Sequence, residues 1–214
     1  MPRKKHRFAG KFFLKALIFT LGIAVSSHAA LAACPTVPPP KIDIDLDLRA
    51  VKYHHNLSKQ QIRGVARDVK LEKNQQIAGF YRPTITSKYS LGYDTHSPGN
   101  CVTVSNFLVS ILVSREVFIA RDYWRGSCQY DVTVAHENLH VKFDQDLMQK
   151  LATTLKERLA LRLKRNAFRD VKSVQGTLEG EMNKAFEEFY RKRDRAHASI
   201  DNNKNYTRES KLCR

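Results

Sequence analysis

With 214 residues, the chain has room for one domain with a genuine hydrophobic core. Its 37 Lys and Arg against 21 Asp and Glu leave a formal charge of +16. Beyond the first 32 residues no stretch is long and uncharged enough to span a membrane, and no nucleic-acid-binding motif occurs, so the charge points to solvated helix faces and, as a further partner, an anionic envelope surface.

The first residues read as a targeting segment. Arg3, Lys4, Lys5, Arg7, Lys11 and Lys15 form a positive region without an acid. Ala16 to Val25 (ALIFTLGIAV) is a short apolar run, and Ala30-Leu31-Ala32 supplies a small-x-small cleavage signal. That order predicts a secretory signal peptide over 1–32 and a domain over 33–214. The run falls short of the about 20 residues that span a bilayer, which argues against an uncleaved anchor. Losing those six basic residues lowers the charge from +16 to +10. Export to the periplasm or cell exterior is therefore expected. Leu31-Ala32-Ala33-Cys34 also reads as a lipobox, making a lipid anchor on Cys34 the alternative.

The four cysteines, Cys34, Cys101, Cys128 and Cys213, all lie past the cleavage signal. An even count in an oxidising compartment predicts two disulfides, and sequence placement favours Cys101–Cys128 and Cys34–Cys213. No CxxC spacing marks a cysteine metal site.

After the proline-rich Cys34–Pro40, the residues Ile42, Ile44, Leu46 and Leu48 alternate with Asp43, Asp45, Asp47 and Arg49, the period of a half-buried strand. Ser58 and Gln61 form a capping-box pattern for a short helix over 58–66. From Ala78 to Trp124 the chain is rich in β-branched and aromatic residues, which predicts antiparallel strands near 80–92, 102–112 and 116–124, with a turn at Ser97–Asn100. From Asp131 to Arg165 no Gly or Pro occurs. A helical stripe is expected there through Val132, Leu139, Phe143, Leu147, Leu151, Leu155 and Leu159. A second helix is expected over 177–199, with Met182, Ala185, Phe186 and Phe189 inward. Strands followed by two long helices predict an α+β class: an antiparallel sheet, then two antiparallel helices.

The first of those helices carries His136-Glu137-Asn138-Leu139-His140. Histidines four apart project from one helix face and can share a zinc ion, with Glu137 beside it as the general base for an attacking water. A third ligand must come from elsewhere. Glu179, Glu181, Glu187 and Glu188 are candidates, but in an antiparallel hairpin His197 comes level with His140. Glu181 falls 16 residues short of that level, roughly 24 Å at helical rise. His197 is therefore the favoured third ligand, with Asp194 or Asp201 orienting its ring and Asp144 orienting His140.

The run VAHENLHVKFDQD, with the long charged helix and the late Arg-Ala-His-Ala-Ser-Ile-Asp segment, resembles secreted bacterial proteins of the DUF922 type, predicted to be zinc-dependent proteases. The resemblance covers about residues 100–201 and departs from the family's YDxxTxHG wording, which is RKRDRAHAS here. It implies a zincin-like fold, a zinc cofactor and hydrolysis of a protein or peptide substrate. Other chemistries lack their motifs: GxSxG, the P-loop and GxGxxG are all absent from the sequence. His54 and His55 are adjacent in a strand and face opposite ways. Tyr93, Tyr123 and Tyr206 are candidate donors to a developing oxyanion. The competing class is a non-catalytic envelope-binding protein with a structural zinc or none; Glu137 separates the two, since a structural site has no use for it.

Overall fold

The computed structural model describes residues 34–66, 77–97 and 101–213. The predicted signal peptide and most of the Ser97–Asn100 turn lie outside them. The elements are β1 (Lys41–His54), α1 (Lys59–Val65), β2 (Gly79–His96), β3 (Cys101–Ile119), α2 (Cys128–Arg162), α3 (Val171–Ile200) and α4 (Asn203–Ser210). The class is α+β. No helix among the described residues is long and apolar enough to cross a membrane.

The sheet has the order β1-β3-β2. The expected antiparallel pairing holds for β2 and β3, from Gly79↔Ile119 to His96↔Cys101. β1, however, joins β3 in parallel, from Lys41↔Asn106 to His54↔Phe118, so the sheet is mixed. The strands expected at 102–112 and 116–124 are one 19-residue strand ending at Ile119. Arg115 is why the break at 113–115 does not occur: it is buried, and its guanidinium donates to the carbonyls of Arg49 and Leu48 where β1 bulges, and to Gln145 Oε1 on α2. A charge in mid-strand is thereby satisfied and ties the sheet to the motif helix. β3 has its own extra residue at Ser105, opposite Gly92 and Tyr93. A Cβ on Gly92 would sit 2.6 Å from Nδ2 of the exposed Asn106 side chain, which would have to swing aside.

The core lies between one face of β3 and the helix pair. Val102, Val104, Phe107, Val109, Ile111 and Val113 alternate inward and meet Met148, Leu151, Leu155 and Leu159 of α2 and Leu178, Met182, Ala185 and Phe189 of α3. Gly126, at φ 84°, turns the chain into α2, and Ser127 caps that helix by accepting from the Tyr130 amide. α3 begins at Val171, earlier than expected, because Asp170 and Ser173 form a capping box. Between the helices, the Asn166 side chain pairs with both the amide and the carbonyl of Val104, at 2.7 Å each, which pins the connection to the start of β3. α1 carries the predicted Ser58–Gln61 capping box and seats Ile62 against Ile77, Phe118 and Ala120 on the other face.

The disulfides are Cys34–Cys101 and Cys128–Cys213, which corrects the expected pairing. A strand of 19 residues rising about 3.3 Å per residue spans on the order of 50–60 Å. Cys101 and Cys128 therefore lie at opposite ends of the sheet, out of reach of one another. Parallel β1 brings Cys34 to the Cys101 end, and α3 returns Cys213 to the Cys128 end. With Cys34 bonded to Cys101, its thiol is not free to carry a lipid.

Candidate metal centre

α2 and α3 run antiparallel, and their contacts fix one register along the motif half. Arg193 Nε donates to both Asp144 oxygens at 3.0 Å, and the His140 and His197 rings lie 4.5 Å apart. One turn further on, His136 Nε2 lies 3.1 Å from Asp201 Oδ1. Residues 144, 140 and 136 thus face 193, 197 and 201 in steps of one helical turn.

This register corrects the stripe expected on α2. Leu139 and Phe143 are exposed, and the buried face of this half is His136, Glu137, His140, Val141 and Asp144. The apolar stripe takes over only at Met148 and continues through Leu151, Leu155 and Leu159. Facing side chains that can satisfy one another allow the polar face to be buried.

Three donor atoms meet at one point. His136 Nε2 and His140 Nε2 are 3.3 Å apart, and each is 3.1 Å from Asp201 Oδ1. Among the described residues this is the one group of three His, Cys, Asp or Glu whose ligand atoms lie within 4.8 Å of one another. Zinc bonds of about 2.0–2.1 Å at tetrahedral angles require donor separations of about 3.3 Å, so the triangle fits the ion.

Each imidazole is fixed through its other nitrogen. Glu209 on α4 holds His136 Nδ1, with its two oxygens at 3.2 and 3.1 Å. His140 Nδ1 lies 3.1 Å from His197 Nδ1, and His197 Nε2 lies 2.7 Å from Asp144 Oδ1. One proton arrangement leaves both Nε2 atoms able to take an ion: His136 Nδ1–H donates to Glu209, His140 Nδ1–H donates to His197, and His197 Nε2–H donates to Asp144. Both His136 and His140 then keep a free Nε2 lone pair toward Asp201.

His197 and Asp201 therefore exchange the roles expected of them. His197 comes level with His140 as foreseen, but it stands behind that ring, and Asp201 closes the donor triangle. Asp144 orients His197 in place of Asp194 or Asp201. The glutamates are engaged elsewhere: Glu181 with Arg162, Glu188 with Arg158, Glu187 with Arg191, and Glu179 with Tyr89. His54 bonds Glu116, and His55 bonds the Tyr123 carbonyl. Of the tyrosines, Tyr206 reaches the site. Its ring stacks on His136 at 5.4 Å, and its hydroxyl donates to Asp201 Oδ1 at 2.8 Å.

The electrostatics follow from burial and these partners. Glu137 is 4% exposed, and desolvation pushes its carboxyl up to about 8 against the opposing charge of His136. Burial would lower His136, but Asp201, Glu137 and Glu209 raise it to about 9. Burial lowers His140, with Asp201 opposing. Burial would raise Asp201 too, but when His136 and His140 instead carry protons on Nε2, their hydrogen bonds hold it far below the usual carboxylate range. Gly79, at the start of β2, walls this side: a Cβ there would lie 2.5 Å from Glu137 Oε1.

No family model, curated protein or solved structure matches the chain.

Proposed function

We propose that the chain is a zinc-dependent hydrolase, most consistent with a peptidase of zincin-like type, with His136, His140 and Asp201 as ligands. The observation that carries this reading is the triangle of donor atoms at 3.1, 3.1 and 3.3 Å. Two imidazoles and one carboxylate leave a position open, as in catalytic rather than structural zinc sites. When bound, the ion would supply Lewis-acid polarisation of a substrate carbonyl and activation of water.

Glu137 follows His136 directly on the buried face of the helix, where its carboxylate would accept a proton from the attacking water and return it to the leaving group. Glu209, and His197 backed by Asp144, hold the two ligand rings. Burial of His136, Glu137 and His140 strengthens these interactions on the inner side of the site, while Asp201 faces solvent. Two disulfides fit an exported protein, and we place the activity in the periplasm or outside the cell.

The second reading is a closed structural zinc site in an envelope-binding protein. It is favoured by the low exposure of His136, 7%, and His140, 4%. Replacing Glu137 by Gln separates the two, because the amide keeps the shape but cannot accept the proton. The variant should hold metal like the parent and lose turnover of an unfolded protein substrate by about 10²–10⁴-fold. Equal turnover in the two proteins refutes the hydrolase. Elemental analysis of both reads zinc against ferrous iron, which the same donor set also suits.

A further inference from the structure

α4 lies over the His136 side of the donor triangle, with Asp201 left exposed, and little apolar contact holds it there. None of its residues is buried, so it contributes no apolar packing to the core. Its contacts with the body are the Asn205 amide on the Ser199 and Ile200 carbonyls at the end of α3, and two side chains at the metal donors. Tyr206 stacks on His136 and bonds Asp201, and Glu209 holds His136 Nδ1. The covalent link is Cys128–Cys213, from the first residue of the motif helix to the third residue beyond α4. The two disulfides differ in access: Cys128 is exposed, whereas Cys101 is buried in the core of the opposite end.

We infer that residues 202–213 form an autoinhibitory strap over the metal site, latched by Cys128–Cys213 and opened by a dithiol reductant. The inference rests on the hydrolase reading for its consequence, though not for the motion itself. With the latch closed, Tyr206 covers the His136 ring and engages Asp201 Oδ1, which restricts a polypeptide's approach to the exposed Asp201 side. A dithiol attacks the exposed sulfur; the Cys128–Cys213 bond breaks, both sulfurs leave as thiols, and the dithiol becomes a disulfide. Without apolar burial the freed strap opens by local unfolding. Opening also withdraws Glu209 from His136, so the open form admits substrate at some expense in metal affinity.

The test uses the full chain without metal and reads access to His136 directly. Parent, dithiol-treated parent and a Cys128→Ser, Cys213→Ser double variant are reacted with diethyl pyrocarbonate, and modified histidines are mapped by mass spectrometry. His96, bonded to Thr103 at the far end of the sheet, serves as reference. Opening the latch should raise His136 modification relative to His96 by on the order of 10²-fold, the factor expected from releasing a loop of about a dozen residues. Tyr206→Ala, with both disulfides kept, should raise it as well and serves if the double variant misfolds. An unchanged His136 rate in all opened forms overturns the strap. A raised rate with no hydrolysis of unfolded protein by the zinc-loaded open forms leaves the strap standing and removes the hydrolase reading.

Discussion

Replacing Asp201 and His197 by alanine, one at a time, separates a ligand from the group behind a ligand. Asp201 Oδ1 is 3.1 Å from both Nε2 atoms, whereas His197 bonds the Nδ1 of His140 and the carboxylate of Asp144. A full structural zinc site is worth about 10–16 kcal/mol, so an even share over four positions is about 3–4 kcal/mol per ligand. Losing Asp201 should therefore weaken zinc binding by roughly 10²–10³-fold. Losing His197 leaves the donor triangle whole and frees only the His140 ring, for which a loss of about 10–100-fold is expected. Competition against a chromophoric zinc chelator, at one pH and one ionic strength, measures both constants. The reasoning fails if His197→Ala costs more affinity than Asp201→Ala. It fails equally if Asp201→Ala binds zinc like the parent, because the triangle would then have no bearing on the ion.

The remaining predictions concern the scaffold. Gly79→Ala places a methyl 2.5 Å from Glu137 Oε1 and 2.6 Å from Thr133 Cγ2; denaturant titration should show a loss of about 1–3 kcal/mol from overpacking. Leu155 is fully buried between the sheet and α3, so Leu155→Ala should cost about 2–5 kcal/mol in the same assay. Non-reducing peptide mapping should recover Cys34 with Cys101 and Cys128 with Cys213, and a Cys101–Cys128 peptide would contradict the unbroken β3 that separates the two.

Much of the scaffold was readable because its signals are local. The alternation at 42–48, the Ser58–Gln61 cap and the two uninterrupted helical stretches each declare themselves within a few residues. The pairing of cysteines was not readable, because it depends on β3 running unbroken away from Cys101 and on β1 lying parallel to it, and neither is encoded within a few residues. The same holds for the stripe on α2. Leu139 and Phe143 look like core by periodicity, and only the facing Arg193, His197 and Asp201 explain why the polar side is the one buried. His136, Glu137 and His140 follow from spacing alone. Asp201 was within reach, since the hairpin register that aligns His197 with His140 also aligns Asp201 with His136 one turn away. The strap was not, because Glu209 and Tyr206 reach the site through a change of chain direction after Asp201, which helical periodicity does not record.

The connection from Leu163 to Asp170 sets that register from a distance. It is held to Val104 by the paired hydrogen bonds of Asn166 and to Val102 by the bridge at Phe168. His140 lies 23 residues up the helix from Leu163, about 35 Å by helical rise. Surface connections ordinarily tolerate a gained or lost residue well. Here a single deletion would rotate α3 by about 100° per residue relative to α2 and carry Arg193, His197 and Asp201 together off the facing rings. Length variation in this remote turn is thus constrained by the donor triangle at the other end of the hairpin, and grafting the site onto another helix pair would require copying the turn along with the donors.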